Sequence, residues 1–93
     1  MFVGVCKIDL FIHASSSLKE KRFVVKSIKD KISNRFNVSV AEVDHLDKWQ
    51  RAALGLATVT NDHKMIDHTF SEIIKLIESN GQAEIVSRNV QVY

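Results

Sequence analysis

From Phe2 to Ile12 the chain reads "FVGVCKIDLFI", with Cys6, Ile8, Leu10 and Ile12 forming the more apolar of two alternating sets and Lys7, Asp9 and His13 marking the other. A period of two, in a run rich in β-branched and aromatic residues, predicts a strand. From Leu18 to about Asn34 the spacing becomes helical, with Val24, Val25, Ile28 and Ile32 on one face. "NVSVAEVDH" and "AALGLATVT" predict two further strands around "LDKWQ", a β-hairpin whose apolar positions leave the face of each strand open. Asn61 or Asp62 can cap a second helix, with a stripe of Ile66, Phe70, Ile73, Ile74 and Ile77 before the "NG" stop at Asn80 and Gly81. "QAEIVSRNVQVY" is the last strand. No repeat, linker or low-complexity segment interrupts the chain, so residues 1–93 are expected to form a single domain.

The order β-α-β-β-α-β predicts an α+β fold, the ferredoxin-like sandwich, in which a four-stranded antiparallel sheet carries both helices on one face. Right-handed crossovers then give the strand order 4-1-3-2. The first and second strands run the same way, which places the loop after the first strand and the turn of the hairpin at the same end of the sheet. "HASSSLKEKR" and "DHLDKWQR" should therefore meet along one rim, joined there by the "NGQ" turn before the last strand.

At the start of the first helix, Ser17 and Glu20 have the S-x-x-E spacing of a capping box, in which Ser17 takes the N3 amide and Glu20 reaches back to the cap amide. Lys19, Lys21 and Arg22 stand in the same turns, where the helix dipole disfavours cations. They call for an anion, either carboxylates of the rim or an external phosphate. A phosphate here would be cradled by Ser15, Ser16 and the amides after Ser15, and neutralised by Lys21 and Arg22. The carboxylate reading joins Lys21 and Arg22 to Glu42, Asp44 and Asp47 in a structural network.

The formal charge of +2 is too small to indicate nucleic acid by itself, but seven of the thirteen Lys and Arg residues fall between Lys19 and Arg35, against only Glu20 and Asp30. On a wheel centred on Ile28, Lys19, Arg22, Phe23 and Lys26 point outward and Lys21 inward. Phe23 is thus an exposed aromatic among cations, suited either to stack on an unpaired RNA base or to cover a neighbouring loop or subunit. The apolar fraction of 45% is that of an ordinary globular chain. No apolar run is long enough to span a bilayer and no leader-like segment precedes the first strand, so a cytoplasmic setting is expected. The single cysteine, Cys6, lies within an apolar strand and is expected to act as a small buried hydrophobe.

Other chemistry has less support. Asp44, His45 and Asp47, with His13 from the first strand, could hold a divalent metal, and His13, Asp44 and His45 could serve an enzyme, yet no histidine pair or cysteine cluster has metal-ligand spacing. His63 and His68 fall on different faces of the second helix and are expected at the surface. Trp49, beside Lys48 and Arg51, is either a lid on the core or a stacking surface. No nucleophile elbow, phosphate loop or dinucleotide fingerprint occurs, so the chain is read as non-enzymatic and without a cofactor. The sheet face opposite the helices would expose Val5, Phe11 and other apolar positions, and a homodimer would cover it. Base stacking on that face is poorly supported, because "AALGLATVT" contains no aromatic residue.

"SLKEKR" at the first helix and "VAEVDHLDKWQRAALGLATVTND" across the hairpin, together with the length, make the chain resemble the YlxP-like family of small bacterial proteins, a domain of unknown function. The resemblance implies a ferredoxin-like fold and a cytoplasmic setting. Genes of that family commonly lie near those for translation initiation and ribosome maturation factors, an association that points toward ribosomal RNA or the small ribosomal subunit as partner. The leading expectation is an RNA- or ribosome-associated protein that contacts phosphates through Lys19, Arg22 and Lys26. The alternative is a homodimeric module that binds a small anion at the rim.

Overall fold

The computed structural model describes residues 1–93. Its elements are β1 (Phe2–Phe11), α1 (Leu18–Arg35), β2 (Ser39–Asp44), β3 (Arg51–Thr60), α2 (His63–Asn80) and β4 (Glu84–Val92). The strands form one antiparallel sheet in the order β2-β3-β1-β4, the expected 4-1-3-2 read from its other edge. The even positions of β1 face inward as the alternation predicts, with Cys6, Ile8 and Leu10 fully buried and Ile12 closing the row. Their neighbours Leu56, Leu54 and Ala52 on β3 bring the inward set of that strand with them, which settles the hairpin faces that the pattern alone leaves open. Together with the stripes of α1 and α2 they make a single core of 17 buried residues. No helix is long and apolar enough to cross a membrane.

The ends of both helices are capped locally. Ser17 is the N-cap of α1, its hydroxyl accepting the Glu20 amide at 3.1 Å. Between the two possible caps of α2 the structure selects Asp62, which accepts the Lys64 amide at 3.0 Å, and Gly81 ends the helix at φ 77°, a left-handed conformation that favours glycine.

Two irregularities shape the outer face of the sheet. The β2–β3 register shifts between Glu42 and Asp44, so that Glu42, opposite Leu54, lies on the helix side while Asp44 lies on the open side with Ala53. Val43, at the bulge, covers Gly55, where a Cβ would stand 2.8 Å from Val43 Cγ1. A second shift between β1 and β4 falls at Asp9 and Leu10.

Gly4 marks the closest approach of α2 to the sheet, since a Cβ there would lie 2.6 Å from Ile66 Cγ2 and 3.1 Å from the Phe70 ring. Ile66 and Phe70 are themselves buried and have little room to give way. Gly4→Val should therefore overpack the core and cost about 1–3 kcal/mol, read as a lowered thermal midpoint. An unchanged midpoint would show that α2 rides more loosely on β1.

Candidate functional site

The rim forms where the topology requires it. The Ile12 amide donates to the Gln50 carbonyl at 2.8 Å and Gln50 Nε2 donates to the His13 carbonyl at 3.0 Å, tying the loop after β1 to the hairpin. Lys21, on the inward face of α1, is fully buried at this end of the core. Its ammonium donates to Glu42 Oε2 at 2.7 Å and to the carbonyls of His45 and Leu46 at 3.0 and 3.3 Å. An ammonium has three N–H donors, so all three are engaged. The turn that supplies these carbonyls passes through His45 at φ 60° and is closed by the Lys48 amide donating to the same His45 carbonyl at 3.1 Å. Lys21 thus belongs to the internal network, with Glu42 reaching it from the helix side of β2 and the bulge turning Asp44 away.

The start of α1 is also satisfied from within. Glu20 Oε2 accepts the Ser16 amide at 2.9 Å, and both of its oxygens accept the Ser16 hydroxyl at 3.1 Å. The carboxylate therefore reaches Ser16, one residue earlier than the expected Ser17 amide. Ser15 is buried and its hydroxyl donates to the Ser17 carbonyl at 3.0 Å. These bonds correct the phosphate cradle drawn from sequence at two points: Ser15 and Ser16 are held by the chain itself, and Lys21 has no donor left for an external anion.

The remaining cations of α1 have a different environment. Lys19, Arg22, Lys26 and Lys29 are three, four and three residues apart and so share one face of the helix, with Lys19, Arg22 and Lys26 exposed. Lys26 pairs with Asp30 at 2.8 Å on the surface. Lys19, Arg22, Lys29, Lys31 and Arg35 form no ion pair, although Arg35 sits 5.8 Å from the Phe36 ring centroid. Phe23 stands beside this face and is 74% exposed, more than Trp49 at 58% or Tyr93 at 70%. It borders a cavity of about 220 Å³ floored by Ile12 and Val24, with Ala14 and Gln82 in its walls.

The polar residues of the hairpin are brought to the rim but not to one centre. His13 pairs with Glu84 at 3.1 Å and lies edge-on to Phe11, whereas His45 faces Asp9 at 3.8 Å. Asp44 pairs with Lys7 at 3.8 Å. Its Oδ1 accepts the His45 amide at 2.8 Å, and this bond, helped by the His45 and Lys7 charges, holds the carboxyl below its ordinary value of 3.8. Asp47 is exposed on the turn and forms no ion pair. The acid–base or metal constellation of His13, Asp44, His45 and Asp47 is thus divided among separate partners, and no group of three such ligands comes together. Trp49 is exposed and does not pack against the core, so of the two roles read for it the lid is excluded. Arg51 is half-buried at the start of β3, and its Nε is enclosed without a partner. His63 and His68 are exposed, as expected. Burial pushes the Cys6 thiol up, against the opposing charge of Arg88, which suits a packing residue.

Residues 3–90 match the family described as protein of unknown function DUF503. The chain belongs to this family. The uncharacterized protein YlxP of Bacillus subtilis (strain 168) is 33% identical over 82 residues, covering 88% of this chain and 89% of the relative. The resemblance carried by "SLKEKR" and the hairpin motif is therefore correct. Among solved structures, a de novo designed protein with a ferredoxin fold superposes with a TM-score of 0.66 at 14% identity, covering 98% of this chain and 86% of that one. A second designed protein gives a TM-score of 0.57 at 15% identity over 98% and 96% of the two chains. These likenesses establish the ferredoxin-like fold and carry no function.

Proposed function

We propose that this member of the DUF503 family is a non-enzymatic, cytoplasmic RNA-binding protein associated with the ribosome, holding phosphates along the exposed face of α1 through Lys19, Arg22 and Lys26. The observation that carries the reading is the contrast within one helix. Lys21 is spent on the fold, while Lys19 and Arg22 stand in solvent with no carboxylate partner. Cations without internal partners on one face supply the electrostatic footprint of a phosphate-binding element. Lys21 serves that element indirectly by fixing the hairpin against the helix.

Three or four phosphate contacts give a logarithmic salt dependence of roughly −2 to −4. Fluorescence anisotropy of a labelled, structured ribosomal RNA over a salt series measures it. Affinity that is flat with salt, or no binding at low salt, would remove the reading.

The same reading takes a second copy of the chain as partner for the open sheet face. Val5, Val43 and Val59 are exposed there, and Val5 and Val43 border a shallow depression of about 300 Å³ with Ala41, Gly55 and Ala57. Lys7 pairs with Asp44, and Asp9 with His45 and Ser87, while the unpaired Arg51 stands at the rim end of the face, so the valine patch itself offers apolar area. Light scattering at high micromolar concentration should give a dimer mass and Val43→Asp a monomer mass. A monomeric parent chain would sink the dimer.

A further inference from the structure

The cavity beside Phe23 combines an apolar floor with an exposed aromatic ring, and unpaired cations of α1 adjoin that ring in the sequence. Its volume, about 220 Å³, is below the roughly 300–1,000 Å³ of sites that enclose drug-sized ligands, and suits one flat ring system. Ile12 and Val24 form the floor and the Phe23 ring stands at the mouth. Glu20 and Gln82 add hydrogen-bonding groups to the wall. Glu20 is held in place by Ser16 and contributes acceptors, while the Gln82 side-chain amide, which bonds to no other group of the chain, offers both donors and an acceptor. Arg22 precedes Phe23 directly and Lys19 stands one turn before it, both free of ion pairs.

We infer that this cavity receives a single unpaired nucleobase of the bound RNA. The inference rests on the proposed RNA-binding reading and adds to it the kind of RNA recognised: a loop, bulge or end rather than a continuous duplex. A base leaving its helix exchanges its own stack for the face of Phe23. The wall amide and carboxylate meet the donors and acceptors of its edge. The phosphates on either side of a splayed nucleotide fall to Lys19 and Arg22. In a duplex every base face is already covered, and Phe23 has nothing to stack upon.

Anisotropy with two labelled RNAs of equal length, a hairpin with an unpaired loop and a blunt duplex, tests this in the full chain. The parent protein should prefer the hairpin, and Phe23→Ala should weaken hairpin binding by about 5- to 100-fold while leaving duplex affinity and the salt dependence unchanged. Gln82→Ala should weaken the hairpin alone. Phe23 is mostly exposed, so its thermal midpoint should stay near that of the parent. Salt-dependent binding that is equal for hairpin and duplex, or unaffected by Phe23→Ala, would overturn the base pocket while leaving the basic helix standing. A parent chain that binds neither RNA would overturn both.

Discussion

Lys21→Ala is expected to be the most destabilising single substitution at the rim. The side chain is fully buried and its partner Glu42 has a side chain only 12% exposed, so removing the ammonium strands a carboxylate in a poorly solvated place. The Leu46 carbonyl loses its donor in the same step, the His45 carbonyl keeps only the Lys48 amide, and the missing stem leaves a void in the core. Breaking a buried pair from one side typically costs about 3–5 kcal/mol. In a domain of this size that lowers the thermal midpoint by more than about 10 °C. Lys21→Met with Glu42→Leu should recover part of the loss, because a pair replaced from both sides leaves no stranded charge. The Leu46 carbonyl, left without a donor, keeps the recovery incomplete. A single Lys21→Ala variant with the parent midpoint would show that the hairpin is held by other contacts.

The second large effect falls on binding rather than stability. Replacing Lys19, Arg22 and Lys26 with glutamate turns the exposed face of α1 from cationic to anionic and should abolish RNA binding. Stability should be nearly untouched, because only Lys26 has an ion partner and an exposed pair of this kind contributes about 0–1 kcal/mol. The variant separates two roles within one helix: Lys21 maintains the fold and its outward neighbours meet the ligand. Thermal unfolding and anisotropy on the same preparation read both. RNA affinity equal to the parent's would exclude these residues from the interface.

The elements themselves were legible because the pattern changes period at each of them, from alternation in β1 to three-and-four spacing in α1 and α2. The meeting of the rim followed from strand direction alone, since β1 and β2 run the same way and end at the same side. What could not be read was which carboxylate would answer Lys21. Glu42, Asp44 and Asp47 are close together in sequence, and the choice of Glu42 depends on a one-residue bulge that turns Asp44 to the open face. The two other acceptors are main-chain carbonyls, which leave no mark in the identity of His45 or Leu46. The two roles open to Trp49 could not be separated either, because an indole near the end of a core suits a lid as well as a surface, and the pattern does not show that the buried Lys21 stands at this end of the core. Gln82 lay within the anticipated "NGQ" turn, but its part in the cavity depends on the packing of that turn against Ala14 and Phe23.

The most direct measurement is sedimentation of the purified protein with small ribosomal subunits and with structured ribosomal RNA across a series of salt concentrations. The account predicts saturable co-sedimentation at low salt that weakens steeply as salt rises and is absent for the Lys19, Arg22 and Lys26 glutamate variant. A protein that stays in the supernatant at the lowest salt, with both subunits and RNA, would contradict it.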